Sequence, residues 1–359
     1  IMKVCILGNG LASLAIAKSL INQGIKIDLI SRNFKSFYDK SQTLGISQSN
    51  IDFFNKNILN INNLLWGINK IEIFSENFNN EKILNFEKKN NLLFSTVKNY
   101  KLYNYLLSEL KKNTLFSVKN KNYSLSSKNY NLVINLDPQH IISKKFFYKK
   151  FTKNYDSFAH VTIVEHQKIP SNNIASQIFT KQGPIAFLPI SSTETSIVYS
   201  ARGRKSLEKK KLEKLIRKNL AKCKIKKIKN VKSFELKSHN IRTYYHENIL
   251  AFGDLLHRLH PLAGQGFNMT LRDIKVLLEI INSKINLGIQ IDSSTCIEFN
   301  QKTKSRNYLF SNSIDFIYEF FNFESKTNTN LMSKSVQFLG KNKLVNKFFT
   351  KLADNGMII

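Results

Sequence analysis

The stretch ILAFGDLLHRLHPLAGQGFNMTLRDIKVLLEII, residues 249–281, joins an apolar run to a helical pattern through a short segment rich in glycine and histidine. Its first part predicts a strand that ends at Gly253 and Asp254. This would place a carboxylate at the carboxyl end of a sheet, where open α/β sheets bind their ligands. The segment HPLAGQGFN then predicts a bent loop leading into a helix that begins near Phe267, with its free N–H groups facing the loop. Such a terminus suits an electron-rich ring that becomes anionic on reduction.

A second glycine turn lies near the start of the chain, in MKVCILGNGLASLAIAKSLINQGIKIDLISR, residues 2–32. A strand, a turn at Gly8 and Gly10, a helix and a second strand together predict a βαβ unit. Glycines at such a turn let the backbone approach a pyrophosphate, which the helix N-terminus stabilises. Ser13 replaces the usual third glycine, and Ser31 replaces the acidic residue that holds a ribose hydroxyl. The pattern predicts a nucleotide site, with a βαβ unit that has lost its ligand as the alternative.

The rest of the chain predicts a second sheet and several helices. From about 157 to 201, four strand-like segments, FAHVTIVEH, ASQIFT, GPIAFLPI and TSIVYS, predict an antiparallel sheet, and a Lys-rich amphipathic helix is expected near 206–222. The last predicted helix carries lysines on one face and an apolar stripe on the other, formed by Leu344, Val345, Phe348, Phe349 and Leu352. This helix either packs on the protein or lies on a membrane surface.

The composition narrows the possible functions. The 359 residues predict two domains and carry a net charge of +30, but only eight of the 55 basic residues are arginine. Since neither a zinc-finger spacing nor a concentrated basic arm occurs, we expect no nucleic-acid partner. Cys5, Cys223 and Cys296 form no CxxC pair, and no run of about 18 apolar residues is present. These features predict a cytoplasmic protein in a reducing compartment, with a basic surface that would also suit an anionic membrane.

Metal binding is a rival interpretation of the first stretch, since Asp254, His257 and His260 follow one another at intervals of three. The proline after His260 disfavours a helix at that residue, so the three side chains are not expected to share a helical face. We therefore expect no metal. A structural role, in which both histidines cap or pack the bend, is the other alternative.

The segment GDLLHRLHPLAGQGFNMTLRD, residues 253–273, resembles the second FAD motif of the aromatic flavoprotein monooxygenases, specifically the 2-polyprenylphenol hydroxylase group of ubiquinone biosynthesis. The pattern of that family is GDAAHxxxPxxGQGxNxGxxD. The residues that match it are Gly253, Asp254, His257, Pro261, Gly264, Gln265, Gly266, Asn268 and Asp273. The Gly8 turn, the GPIAFLPI strand and Arg306 follow the family's order, so the resemblance covers nearly the whole chain.

The resemblance implies a fold like that of p-hydroxybenzoate hydroxylase, an α/β protein with a Rossmann-type FAD domain, an inserted antiparallel β-sheet substrate domain and C-terminal helices. The discontinuous FAD-binding domain would comprise residues 1–72, 98–152 and 244–359, and the substrate domain residues 73–97 and 153–243. The cofactor-binding residues implied by the resemblance are Gly8, Gly10, Leu11, Ser31, Gln42, Asp254, Pro261, Ala263, Gly264, Gln265, Gly266, Phe267 and Asn268.

The resemblance also implies a reaction, with FAD as cofactor and NAD(P)H as co-substrate. NAD(P)H would reduce the flavin, O2 would form a flavin hydroperoxide, and this species would hydroxylate a prenylated phenol ring. Asp254 would hydrogen-bond the ribitol of FAD, while Pro261, Gly264 and Gln265 would surround the flavin ring. No catalytic acid–base side chain is identified, because backbone dipoles and a dry pocket do much of the work in this family.

Several positions depart from the family pattern. Gln42 stands about where the family carries an arginine, and the family's DG motif falls at Asp137, where Pro138 replaces glycine and Lys144 replaces an arginine. These departures leave open a flavin-binding homologue with weak or accessory activity, another FAD oxidoreductase of the same fold, or a non-catalytic scaffold. A halogenase is disfavoured because Trp66 is the single tryptophan, whereas halogenases carry a WxWxIP signature.

The expected substrate face is apolar. Ile185, Phe187 and Pro189 alternate along the GPIAFLPI strand and would cover a phenol ring, although ordinary sheet core explains them equally well. Together with the basic amphipathic C-terminal helix, this predicts association with the inner membrane or with a quinone-biosynthesis protein complex that delivers a poorly soluble substrate.

Overall fold

The computed structural model describes residues 2–31, 40, 42–76, 81–87, 92–119, 126–203, 206–220, 223–260, 265–327 and 331–340. The strands in these ranges are β1 (Lys3–Leu7), β2 (Lys26–Ile30), β3 (Thr43–Ser47), β4 (Trp66–Ile68), β5 (Lys70–Ser75), β6 (Glu81–Glu87), β7 (Phe94–Lys98), β8 (Phe116–Lys119), β9 (Leu132–Asn135), β10 (Lys150–His166), β11 (Ile174–Thr180), β12 (Gly183–Pro189), β13 (Glu194–Arg202), β14 (Ile225–Ile228), β15 (Lys232–Ile241), β16 (Tyr245–His246), β17 (Ile249–Ala251) and β18 (His257–Arg258). The helices are α1 (Leu11–Ile21), α2 (Gln48–Asn57), α3 (Asn99–Lys111), α4 (Ile141–Phe146), α5 (Lys209–Asn219), α6 (Gln265–Asn286), α7 (Ser293–Thr327) and α8 (Leu331–Gly340). None of the helices in the described ranges combines the length and apolar character needed to cross a membrane.

The first sheet has the order β16-β17-β9-β1-β2-β8. Its pairs are parallel, apart from the short antiparallel pair of β16 with β17. Strands β1 and β2 are buried at every position after their first residue, as expected for a parallel sheet covered on both faces. Helix α1 connects these two strands, which confirms the predicted βαβ unit.

A buried carboxylate ties four strands or their flanks together in this sheet. Asp28 on β2 forms an ion pair with Lys3 at 2.8 Å and accepts hydrogen bonds from Tyr130 and Ser117. Burial by itself would raise the pKa of Asp28, but its bonded partners hold the pKa below the ordinary value for aspartate. The residue therefore remains charged and holds β1, β2, β8 and the start of β9 in register.

The second sheet has the order β18-β15-β10-β13-β12-β11-β5-β6, and β14 also pairs with β10. Because successive side chains of a strand point to opposite sides, this sheet has two distinct faces. Helix α5 covers one of them with Leu212 and Ile216. We call this the closed face, and it is formed by the buried side chains of Ile185, Phe187, Ile197 and Tyr199.

Helix α7 crosses part of the opposite side, where the rings of Phe179 and Phe321 stack with centroids 3.7 Å apart. Leu259 and Met269 belong to the same apolar cluster, so the segment before α6 and its first turns also lie over this side. The residues that these elements leave half-buried define what we call the open face: Gln177, Ala186, Leu188 and Val198.

The third sheet, in the order β3-β7-β4, is antiparallel and contacts the second. The hydroxyl of Thr96 on β7 donates to the carbonyl of Pro189 at 2.6 Å, and Lys98 forms an ion pair with Glu194 at 2.6 Å. These bonds fix the small sheet beside the ends of β12 and β13.

The main expectations for the fold are confirmed. The protein is a mixed α/β structure in which the four strands expected between 157 and 201 form β10 to β13 of an antiparallel region. The helix expected near 206–222 is α5, and the helix expected to begin near Phe267 begins two residues earlier, at Gln265. The predicted helix that carries Leu344 to Leu352 lies outside the described residues.

Candidate functional site

The turn after β1 directs backbone donors toward the carboxyl edge of the parallel sheet. Gly8 has a φ of +113°, which residues with a side chain rarely adopt, and its N–H donates to the carbonyl of Ile30 at 2.9 Å. Gly10 is the N-cap of α1 and provides no side-chain cap, and the buried Leu11 begins the helix. The first turn of α1 also contains no acidic residue. The positive end of α1 is therefore suited to an anion.

Ser13 is compatible with this arrangement. Its side chain is fully buried, and within the described ranges its Oγ has no hydrogen-bond partner. A Cβ built on Gly8 would lie 3.5 Å from this Oγ and 3.5 Å from the backbone N of Asp137, so a side chain there would fill the turn. A helix terminus without a cap, an unpaired hydroxyl and an open turn fit the diphosphate of a dinucleotide cofactor such as FAD.

Three segments meet at this edge of the sheet. A Cβ built on Gly253 would lie 3.1 Å from Leu136 Cδ2 and 3.7 Å from Ala12 Cβ, so the first turn of α1 and the loops after β9 and β17 are close together. Asp254 follows in a single turn of 3-10 helix and is exposed. Its carboxylate makes no hydrogen bond or ion pair within the part of the chain that the structure describes. The carboxylate is thus free to accept hydrogen bonds from a bound hydroxylated chain.

Leu255 and Leu256, which replace small residues of the family motif, do not occupy this edge. Both side chains are fully buried in the main apolar core. The larger residues therefore add to the packing beneath the turn, while Asp254 remains exposed.

The loop after β9 shows how Pro138 is accommodated. The N–H of Asp137 donates to Asn135 Oδ1 at 3.1 Å, and Asp137 Oδ1 accepts from the N–H of Gln139 at 2.8 Å. Ser143 Oγ donates to the carbonyl of Asp137 at 2.6 Å. Side chains thus stabilise this turn, and a glycine conformation is not needed at position 138. Lys144 lies on the short helix α4 that follows.

Ser31 and Gln42 lie at the edges of this region. Ser31 directly follows β2, next to the carbonyl of Ile30 that accepts from Gly8. Gln42 directly precedes β3, where its Oε1 accepts from the side chain of Asn99 at 3.3 Å and its carbonyl accepts from the N–H of the same residue at 3.0 Å. The structure therefore places Ser31 with the α1 turn and Gln42 at the start of the third sheet.

The first turn of α6 is held in place by Asn268. Its side-chain Oδ1 accepts from the N–H of Ser47 and from the Asn50 amide, each at 2.9 Å, and its Nδ2 donates to the carbonyl of Gly45 at 2.8 Å. The Asn268 side chain thus joins α6 to β3 and α2. Three predicted residues before this turn, Pro261, Ala263 and Gly264, lie outside the described residues.

Neighbouring residues of α6 have different surroundings. Gln265 is buried and its Oε1 accepts from Arg272 at 2.9 Å. Among the described residues, none has an atom within 4 Å of a Cβ built on Gly266, and Phe267 packs at the border of the main core. The side of the helix at Gly266 is therefore not covered by the described part of the chain.

The two histidines of the bend have different partners. His257 on β18 is buried, and its Nε2 lies 2.6 Å from Asp273 Oδ2. Asn307 donates to the other Asp273 oxygen at 3.0 Å, and Arg306 lies 3.9 Å from it. These contacts make His257, Asp273 and Arg306 a structural network between β18, α6 and α7.

His260 is 1% exposed and lies between two tyrosine rings, with its centroid 4.8 Å from that of Tyr155 and 4.3 Å from that of Tyr318. Within the described residues neither ring nitrogen has a hydrogen-bond partner. Burial, helped by the charge of Lys153, lowers the pKa of His260 to about 3, so the ring is neutral. In the part of the chain that the structure describes, no group of three or more His, Cys, Asp or Glu side chains could hold a metal ion.

The structure places Ile185 and Phe187 on the closed face, where they pack beneath α5 and cannot cover a substrate. Pro189 is buried at the end of β12, next to the third sheet. The alternating residues Ala186 and Leu188 lie on the open face instead. The sequence indicated the alternation of this strand, but not which of its two sides a helix would cover.

The chain is similar to known proteins in sequence and in fold. Residues 140–348 match the family model described as squalene epoxidase. A ubiquinone biosynthesis monooxygenase COQ6 from Danio rerio is 26% identical over 203 residues, which are 45% of this chain and 42% of that protein. A 3-demethoxyubiquinol 3-hydroxylase from Escherichia coli is 26% identical over 156 residues, 40% of this chain and 38% of that protein. The matched segments thus span less than half of these relatives.

Solved structures share the fold over the whole chain. The p-nitrophenol 4-monooxygenase PnpA from Pseudomonas putida has a TM-score of 0.77 at 11% identity, with all of both chains covered. HpxO from Klebsiella pneumoniae, solved with FAD and uric acid, has a TM-score of 0.74 at 12% identity over 98% of this chain and 97% of that chain. At these identities the comparison shows a common fold.

Proposed function

The chain belongs to the squalene epoxidase family of FAD-dependent monooxygenases, and on this basis we propose that it binds FAD and hydroxylates a prenylated phenol ring with NAD(P)H and O2. The names of the matched relatives support a substrate of ubiquinone biosynthesis, because they include a ubiquinone biosynthesis monooxygenase and a ubiquinol hydroxylase.

One observation carries the proposal: the uncapped N-terminus of α1 and the free carboxylate of Asp254 lie at the same edge of the parallel sheet. The backbone N–H groups at the N-terminus of α1, which follow Gly8 and Gly10, would bind the diphosphate, and the Ser13 hydroxyl would donate to it. Asp254 would accept hydrogen bonds from the ribitol hydroxyls. The backbone from Gln265 to Asn268 would lie along the flavin ring.

FAD, when bound, supplies the redox chemistry that activates O2, and the chain supplies position and a dry environment. Leu188 and Val198 on the open face are apolar and would exclude water from the ring that reacts. The neutral His260 adds no charge to the region that α7 covers. The side chains near the site therefore position the substrate and exclude solvent.

Flavin binding is tested by comparing two glycines with the same backbone constraint. Gly8 has a φ of +113° and Gly24 a φ of +76°, but Gly24 lies at the opposite end of α1, and no atom of the described residues is within 4 Å of a Cβ built on it. Alanine at either position strains the backbone by about 1–2 kcal/mol. We expect Gly8→Ala to raise the Kd for FAD at least about tenfold and Gly24→Ala to leave it unchanged, as followed by flavin fluorescence. A parent protein that binds no FAD contradicts the proposal.

The reaction is tested with 2-geranylphenol, NADH or NADPH, and isotope-labelled O2. The expected product carries one labelled oxygen on the ring, as measured by mass spectrometry. Consumption of NAD(P)H without a labelled product, for any prenylated phenol offered, would contradict the hydroxylase assignment while leaving flavin binding intact.

We further propose that the protein works at an anionic membrane surface. Leu309, Phe316 and Phe323 are exposed on α7 at intervals of seven residues, which places them on one helix face. Phe316 is 68% exposed and Phe323 56%, and the net charge of +30 favours anionic lipid. A surface of this kind would deliver a substrate that is poorly soluble in water.

Vesicles of anionic phospholipid test this association by co-sedimentation. The double variant Phe316→Ser/Phe323→Ser should bind less than the parent. Ile141→Ser is the control, since Ile141 is 72% exposed but lies on α4. Equal binding of the parent, the double variant and the control would exclude the α7 stripe as the contact.

A further inference from the structure

The open face contains one polar side chain within an apolar row. On β11, Gln177 lies opposite Ile73 of β5 and Ala186 of β12, and Ala186 lies opposite Val198 of β13. Strand alternation places these four side chains on the same side of the sheet. All four are half-buried, and no helix of the described ranges packs over Gln177, Ala186 or Val198 in an apolar cluster.

The Gln177 amide has no hydrogen-bond partner in the part of the chain that the structure describes. A half-buried amide with unused donors and acceptor is costly unless a ligand or water completes its bonds. The amide therefore points to a ligand that is apolar over most of its surface and polar at one position.

A second unpaired group lies on the same side of the sheet. Ser196 is opposite Leu188, two residues along the strands from the row of Ala186 and Val198. Its side chain is fully buried, and its Oγ has no hydrogen-bond partner among the described residues. In contrast, Thr162 on the other side of the sheet donates to a backbone carbonyl at 2.8 Å. Unsatisfied polar atoms thus occur on the open side of these strands.

The first turns of α6 lie over this side of the sheet, because Met269 packs in one cluster with Phe179 and Ala159. Phe179 and Gln177 are two residues apart on β11 and share a face. The row of Gln177 therefore adjoins the apolar cluster to which the first turns of α6 contribute Met269. A phenol held there would have its ring against Ala186 and Val198 and its oxygen within the reach of an amide.

We propose that Gln177 is a specificity-determining residue that recognises the ring hydroxyl of a prenylated phenol, with Ala186, Leu188 and Val198 as the apolar surface for the ring. This inference rests on the proposed function. The amide carbonyl accepts the phenol O–H, and the amide N–H donates to a ring oxygen, so that one side chain serves both a phenol and an alkoxy-substituted ring.

Binding measurements by equilibrium dialysis of the FAD-loaded protein test the proposal. The probes are 2-geranylphenol and geranylbenzene, which differ only in the ring hydroxyl. We expect Gln177→Leu to raise the Kd for 2-geranylphenol about five- to tenfold, which corresponds to the free energy of one neutral hydrogen bond. The Kd for geranylbenzene should stay unchanged or fall. Gln290→Leu is the control, because Gln290 is an exposed glutamine between α6 and α7.

The two ligands separate recognition from folding, since a misfolded variant would lose both. Equal Kd values of Gln177→Leu and Gln290→Leu for 2-geranylphenol overturn the inference and leave the proposed function standing. A parent protein that binds FAD but neither ligand contradicts the substrate class and the inference together. If Gln177→Leu binds 2-geranylphenol more weakly but geranylbenzene as well as the parent does, the proposed substrate class and the role of Gln177 are both supported.

Discussion

The closed and open faces of the second sheet are built from the same strands, but their residues differ in chemistry. On the closed face, Phe187 and Tyr199 are buried beneath α5 in an apolar cluster. On the open face, the alternating residues Ala186 and Leu188 are half-buried, and the Gln177 amide has no hydrogen-bond partner in the described ranges. The Ser196 hydroxyl, fully buried on the same side of the sheet, also has none there. Since the strands are shared, the contrast comes from what covers each face.

This difference separates stability from function within one sheet. Apolar burial beneath α5 stabilises the strands and needs no ligand. The opposite side, by contrast, carries polar groups whose hydrogen bonds are incomplete, and such groups destabilise a protein unless a partner is bound. We therefore expect substitutions on the closed face to affect mainly folding, and substitutions on the open face to affect mainly ligand binding.

The largest effect on stability is expected for Phe187→Ala. Phe187 is 3% exposed, and its removal leaves a cavity beneath α5, so the free energy of unfolding should fall by about 3–5 kcal/mol. Leu188→Ala, its neighbour on the open face, should cost about 1 kcal/mol because the side chain is only half-buried. Urea denaturation at neutral pH measures both. Similar losses for the two variants would contradict the distinction between the faces.

The next largest effect concerns His260, which lies on the side of the second sheet that α7 crosses. Its pKa is about 3 in the folded protein, whereas an unfolded histidine has a pKa of about 6.5. Between these values the unfolded chain binds a proton that the folded protein does not. The contribution of His260 to the free energy of unfolding is therefore fully present above about pH 6.5 and is lost as the pH falls toward 3.

His260→Phe should remove this part of the pH dependence. Below about pH 6 the parent should lose up to about 1.4 kcal/mol per pH unit more than the variant, because phenylalanine cannot be protonated. Unfolding by urea at several pH values, from about 4.5 to about 7.5, measures the difference on both sides of the pKa of an unfolded histidine. Parallel stability profiles of parent and variant would show that the ring is not held in its neutral form by burial.

Much of the first sheet could be predicted from the sequence, because its information is local. The glycines at positions 8 and 10 lie between an apolar strand and an apolar helix, and the structure confirms the βαβ unit. The strand at 249–251 followed by Gly253 and Asp254 is also found at the expected edge of the sheet. Short-range periodicity and turn residues are sufficient for such elements.

The sequence was less informative about features that depend on contacts between distant residues, such as which side of a strand a helix covers. The alternation in GPIAFLPI predicts two faces, but α5 begins 20 residues after this strand, and its choice of side depends on tertiary packing. For this reason the sequence left open whether Ile185 and Phe187 cover the substrate or form sheet core, and the structure places both in the core beneath α5. The bonds from Asn268 to Gly45 and Ser47 join residues more than 200 positions apart, and nothing in the local pattern indicates them.

The smallest predicted effect compares two buried hydroxyls on opposite sides of the sheet. Thr162 Oγ1 donates to the Lys229 carbonyl at 2.8 Å, so Thr162→Val should lower the free energy of unfolding by about 1 kcal/mol. Ser196 Oγ is buried without a partner among the described residues, so Ser196→Ala should leave stability unchanged or raise it by up to about 1 kcal/mol. Thermal or urea unfolding of the ligand-free protein provides the comparison. If Ser196→Ala instead destabilises the protein as much as Thr162→Val does, the Ser196 hydroxyl is already satisfied by water or protein, and the two faces do not differ in unsatisfied polar groups at this position.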